Sequence, residues 1–156
     1  MRGIIAACVL LLAHAHATAV DFRWTRGFAQ GTSEATIRNA ADSSVNIYCP
    51  SGQLEPVPGM FIESARIKPK PGEQIVVQII VDGKNHPFYL QETQFHAHGR
   101  MNYMSLGGLV NALAASKNRS FTVEFPKYGV AERFSLMDAR RALGSDRSSI
   151  LSGCSS

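Results

Sequence analysis

The eight residues Gln74-Ile75-Val76-Val77-Gln78-Ile79-Ile80-Val81 limit what this chain can become more than any other stretch. All but the two glutamines are β-branched, and such side chains are stiff at χ1 and favour an extended backbone. Apolar residues stand at both alternating sets of positions, the pattern of a central strand covered on both sides. Asp82-Gly83 follows directly and marks a two-residue hairpin turn, since both turn positions need a positive φ. The returning strand is expected over His86 to Gln91. Pro87 lacks an amide donor there, which points to a sheet edge or a bulge.

Shorter alternating runs extend the same theme. Phe22 to Arg26, Ala35 to Asn39 and Ser44 to Cys49 each repeat with a period of two, the signature of half-buried strands. Gly27 to Ser33 reads as turn material between the first two. A strand beginning at Met60-Phe61-Ile62 is expected to reach Ile67, where Lys68-Pro69-Lys70-Pro71-Gly72 stops it. Leu106, Leu109, Val110, Leu113 and Ala114 switch to spacings of three and four, which makes Met101 to Lys117 a helix with one apolar stripe. Gly107-Gly108 loosens that helix and lets it approach a neighbour. Phe121 to Phe125 and Ala131 to Leu136 form a last hairpin around Pro126 to Gly129, and Met137 to Leu143 is a short helix. The fold class is therefore mainly β (α+β): an antiparallel sheet or sandwich of about seven or eight short strands with two short helices.

The N-terminus sets the compartment. Arg2, an apolar run from Ile4 to Ala13 and the small residues up to Ala19 compose a secretory signal peptide over residues 1–19, with cleavage after Ala19, or alternatively after Ala17. A membrane span needs roughly 18 to 20 apolar residues, more than this run or any later one supplies. Ile5-Ala6-Ala7-Cys8 resembles a lipobox, but the apolar run continues past Cys8, which reads as part of the leader. Residues 20–156 are then one exported, β-rich domain, periplasmic or secreted, with no membrane anchor. Removing the leader leaves Cys49 and Cys154, which are expected to pair in an oxidising compartment. Such a bridge closes a loop of about 105 residues and constrains the unfolded chain by roughly 4 to 5 kcal/mol.

The residues that could carry chemistry are few. His96 and His98 in Phe95-His96-Ala97-His98 share one side of an extended chain and could grip a metal ion, with His86 or Asp82 as a third ligand. The alternative is a pair of exposed loop histidines. The serines lack a nucleophile elbow, Gly107-Gly108 lacks the spacing of a phosphate loop, and Glu92, Glu124 and Glu132 read as solvent-facing strand residues. No catalytic residue and no cofactor is assigned on this basis. Asn118-Arg119-Ser120 is a glycosylation sequon or a polar turn. Trp24, Tyr89, Tyr103 and Tyr128 could face a partner, although packing is the commoner use of such residues. The 16 basic and 12 acidic residues are interspersed, which argues solubility and makes no case for nucleic acid.

From Cys49 to Cys154 the order of features resembles a known group of exported proteins. A strand ends at Cys49, a long apolar strand closes at Val81-Asp82-Gly83, and a helix at Leu109 to Leu113 precedes Phe121-Thr122-Val123-Glu124-Phe125. Phe134-Ser135-Leu136 then leads through Ala139 and Ala142-Leu143 to the terminal cysteine. This layout is similar to the type VI secretion-associated VasI-like accessory proteins and, more loosely, to the invasion-associated protein B family. The stretch from Leu143 to Cys154 is longer and more polar than in either. The resemblance implies a non-enzymatic periplasmic domain that binds another envelope or secreted protein, and it carries over no catalytic residue. An inhibitor or immunity-type protein acting through His96 to Asn102, or a metal-dependent enzyme, are the other functions these features permit.

Overall fold

In the computed structural model of the protein, which describes residues 22–144 and 148–154, the Asp82-Gly83 hairpin forms as its residues dictate. Asp82 and Gly83 have φ of 52° and 76°, and Val81 faces Lys84 as the closing pair. The expected leader, with Cys8 and the cleavage site, lies outside the described residues. In chain order the elements are β1 (Thr25–Ala29), β2 (Thr32–Arg38), β3 (Ser44–Cys49), β4 (Gly59–Glu63), β5 (Gln74–Val81), β6 (Lys84–Gln91), β7 (Gln94–His96), α1 (Gly99–Ala115), β8 (Ser120–Phe125), β9 (Val130–Ser135) and α2 (Ala139–Leu143). The nine strands among the described residues form one antiparallel sheet in the order β1-β2-β3-β4-β7-β6-β5-β8-β9.

Four expectations need correction. The ninth strand is β7, whose three residues are too short to display a period. β1 lies three residues later than expected and is exposed throughout, so it carries no alternating pattern; the turn that follows it is only Gln30-Gly31, with φ of 50° and 75°. Trp24, just before β1, is fully buried and stacks on Phe121 with ring centroids 6.1 Å apart. β4 ends at Glu63 rather than Ile67. Finally, β5 is covered on one face only: Ile75, Val77, Ile79 and Val81 are buried, whereas Val76 is 39 % exposed. Its second set of β-branched residues reflects fit to an extended backbone rather than burial.

One-sided burial works because the sheet rolls around its own inner face. Ile37, Val45, Ile47, Ile62, Val123 and Phe134 bring inner surface from both ends of the strand order into a common core, and α1 adds Leu106, Leu109, Val110 and Leu113. β2 contacts β9, although six strands, β3-β4-β7-β6-β5-β8, stand between them in the sheet order. α2 packs on α1, and the amide of Trp24 donates to the Met137 carbonyl at 2.9 Å.

Glu132 on β9 secures this closure. It is expected from sequence to face solvent, yet only 3 % of it is exposed. Its carboxylate accepts hydrogen bonds from Ser64 at 2.6 Å, Ser43 at 3.0 Å and Asn39 at 3.0 Å, residues that follow β4 and β2. Nearby, Arg66 donates to the carbonyl of Ala131 at 3.1 Å. Burial on its own pushes the Glu132 carboxyl up, but the bonds from Ser64, Asn39 and Ser43, helped by the charge of Arg66, outweigh it and hold the group below its ordinary value. The tail is tied separately, by the Cys49–Cys154 disulfide, whose Cα atoms are 5.8 Å apart.

Glu132→Ala strands three buried donors and is expected to cost about 2 to 3 kcal/mol in urea unfolding at neutral pH. Glu132→Gln keeps the shape and one acceptor oxygen and should cost less. Because the folded-state value is depressed, the carboxylate stabilises fully above its unfolded value of about 4.3 and loses that effect as the pH falls through the folded value. Unfolding curves from pH 7 to pH 3 should therefore show an acid limb in the wild type that is shallower in Glu132→Gln.

Candidate functional site

The outer face of the rolled sheet carries a row of residues that the register brings side by side. Glu34 on β2 faces Tyr48 on β3, Tyr48 faces Gly59 on β4, and Gly59 faces His96 on β7. A Cβ at Gly59 would fall on the Tyr48 hydroxyl and the Phe95 carbonyl. The missing side chain therefore lets the phenol lean across β4 to reach β7. There the Tyr48 oxygen lies 3.2 Å from His96 Nδ1 and accepts a bond from Gln94 Nε2 at 2.9 Å. The Tyr48 ring also rests against Phe61, with centroids 5.3 Å apart.

Burial pushes the Tyr48 hydroxyl up, and the bond from Gln94 only partly offsets this, so the phenol keeps its hydrogen. With Gln94 donating to the oxygen, that hydrogen is free to point at His96 Nδ1, an arrangement that puts the imidazole proton on Nε2. His98 stands beside His96, ring centroids 5.7 Å apart. Thr32, Pro50, Gln53 and Val57 complete a cleft of about 470 Å³ over Tyr48, Phe61, Gln94 and the two histidines.

His86 is elsewhere. It lines a groove of about 280 Å³ between β6 and α1, with Lys84, Asn85, Pro87 and Phe88 on one wall and Met104, Ser105, Gly108 and Ala112 on the other. Its Nε2 is buried without a hydrogen-bond partner, and burial first, then the charge of Lys84, lowers its tendency to protonate. Asp82, the other candidate third ligand, accepts from Ser116 and Asn118, each at 2.6 Å. The two neighbouring histidines are thus brought together and their proposed third ligands are not. Among the described residues no three of His, Cys, Asp and Glu are grouped so as to hold a metal ion. The segment His96 to Asn102 is the end of β7 followed by the first turn of α1, not a projecting loop.

The aromatic candidates divide. Trp24 is core, Tyr103 donates to the Leu151 carbonyl at 3.4 Å, and Tyr128 donates to Glu73 at 2.7 Å. Glu73 also binds Lys127 and the Lys70 amide; the bond from Lys127 is the largest reason its carboxyl sits at about 2. Tyr89 alone of the four stands well out, 63 % exposed. Sequence reasoning missed Tyr48, Gln94 and Gly59, whose relation exists only through the register of three strands distant in the chain.

Fold and surface together define a class: a small, disulfide-stapled, rolled β-sheet protein with a cleft on its outer face and a groove beside its long helix. Residues 22–143 match the model of the YfjT family, and the chain belongs to that family. No curated protein and no solved structure matches it.

Gly59→Ala is expected to push the phenol off His96. Nitrogen NMR of the imidazole should then show the single Nε2–H tautomer give way to a mixture, with a stability loss of about 1 to 3 kcal/mol from overpacking. Tyr48→Phe should produce the same change at His96 with a loss of about 1 kcal/mol.

Proposed function

We propose that this chain is an exported, non-enzymatic binding or accessory protein of the bacterial envelope, periplasmic or secreted, whose partner is another envelope or secreted protein. The observation that carries this reading is the groove between β6 and α1. β6 pairs with β7 only at Gln91, so from Lys84 to Leu90 its second edge has no strand beside it among the described residues. Pro87 removes a donor midway along that edge, which makes it a poor template for adding a strand. What the groove offers is a slot for side chains. Gly108 leaves a gap in its α1 wall, and an added Cβ there would touch nothing within 4 Å.

The rim has the chemistry of a contact surface. Met104, which lines the groove, is exposed on α1, as is Met101 one turn before it, and Met is an adaptable contact residue. Further along β6, outside the groove itself, Tyr89 exposes an aromatic of the kind enriched at interfaces. Among the described residues Lys84 is the one charged side chain lining the groove. The complementary partner is an extended protein segment that seats an apolar side chain over Gly108 and brings a carboxylate to Lys84. The signal-like leader, the disulfide and the resemblance in layout to the VasI-like accessory proteins all support an exported partner for it.

Expressed from its full precursor with a photo-crosslinking residue at Asn85, the protein should appear outside the cytoplasm with Val20 at its N-terminus and form a discrete adduct with an envelope or secreted protein. Gly108→Leu should fill the groove and reduce the adduct at least tenfold. It should leave the melting temperature unchanged or higher, since leucine is a better helix former than glycine by about 1 kcal/mol. Retention of the precursor in the cytoplasm, or an adduct indifferent to Gly108→Leu, contradicts the proposal.

A further inference from the structure

We infer that the outer-face cleft over β3, β4 and β7 is a second binding site, separate from the groove beside α1, and that its ligand is a neutral saccharide. The first reason is charge. Asp, Glu, Lys and Arg make up 18 % of the chain, yet among the described residues none of them lines this opening of about 470 Å³. Glu34, in the same row, does not line the opening, and its carboxylate accepts from the side chain of Asn46 at 3.1 Å. A phosphate, a carboxylate or a metal ion entering here would leave its charge without a counter-charge, at a cost in desolvation.

The second reason is the kind of polar group present. Thr32, Gln53, Gln94 and His98 carry groups that both donate and accept, unlike charged side chains, which do only one, while Tyr48 and His96, bonded to each other, still present a phenol lone pair and an Nε2–H. Sugar hydroxyls both donate and accept, so a ring bearing several of them can meet all of these groups. The third reason is the apolar surface between them. The tilted Tyr48–Phe61 pair, with Pro50 and Val57, offers ring faces and aliphatic edges to the C–H face of a pyranose. The volume falls within the range of small-ligand pockets, about 300 to 1,000 Å³.

Two features separate a sugar from a peptide. The cleft lies on a face of the sheet, where the main-chain groups of β3 and β4 are committed to ladders with their neighbours, so a peptide would find no backbone partners there. Moreover, Tyr48 is already fixed, by Gln94, by His96 and by the space over Gly59, so a small rigid ligand meets a prepared surface and little ordering remains to be done on binding.

The test is an NMR titration of the mature, disulfide-bonded protein with three neutral trisaccharides, chitotriose, maltotriose and cellotriose, alongside a trialanine blocked at both ends and sodium phosphate. At least one trisaccharide at millimolar concentration should saturably shift the side-chain amides of Gln53 and Gln94 and the rings of His96 and His98. Tyr48→Phe should weaken that binding about fivefold, the equivalent of one hydrogen bond. Gln53→Ala, on the exposed loop, should weaken it without touching the fold, and unchanged backbone amide signals elsewhere would verify this for both variants. If none of the three saccharides moves these resonances, or if the blocked peptide or phosphate moves them more, the inference falls. Neither result bears on the groove beside α1, which the crosslinking experiment tests separately.

Discussion

Glu132 carries its charge with only 3 % of the residue exposed, and the means by which that charge is satisfied are tied to the shape of the whole sheet. A carboxylate removed from water is costly unless hydrogen bonds replace its hydration. Its three donors come from Asn39, Ser43 and Ser64, which belong to the far side of the strand order. They reach β9 only when the sheet has rolled far enough to bring the exits of β2 and β4 over it. An open or differently curled sheet would bury the same charge with fewer partners or expose the apolar residues around it. The network thus favours one closure over the alternatives, and in doing so it defines an inside.

What the inside takes, the outside is spared. Because a single roll buries Ile75, Val77 and Ile79 while leaving Val76 in view, the outer positions of each strand need not serve the core. On β3, β4 and β7 those positions hold Tyr48, Phe61, Gln94 and His96, and Gly59 allows the first of them to cross a strand and meet the last. On the other side of β7 the sheet parts from β6 after one residue pair, and α1 lies along the gap. The two depressions differ in chemistry for this reason: one is built from side chains on a complete sheet face, the other from an interrupted edge and a helix with a missing side chain.

Much of the fold was legible because local chemistry and tertiary structure agreed. Asp82-Gly83 made its hairpin, Ser44 to Cys49 and Gln74 to Val81 are strands over those same residues, and the stripe from Leu106 to Ala114 faces the core. The pairing of Cys49 with Cys154, expected once Cys8 is assigned to a leader, holds in the structure. The failures came where a residue's role depends on something far away in sequence. β7 is a strand only because β4 pairs with it, and β1 is one only as the partner of β2. Glu132 was expected to face solvent because it is a charged residue, yet it shares the inner face with Phe134; its burial depends on donors from Asn39, Ser43 and Ser64, far away in sequence. Tyr48 had no motif to announce it, since its partners lie 46 and 48 residues away.

The most direct test of the closure is the titration of the Glu132 side chain itself, followed by its carboxyl carbon in NMR of the folded, disulfide-bonded protein. Three hydrogen bonds and the charge of Arg66 overcoming burial predict a midpoint below that of an ordinary glutamate, with the Ser43 and Ser64 amide signals shifting in step. A midpoint at or above the ordinary value, or one that leaves those amides unmoved, would mean that Glu132 is not held by the far side of the sheet and that something else closes the roll.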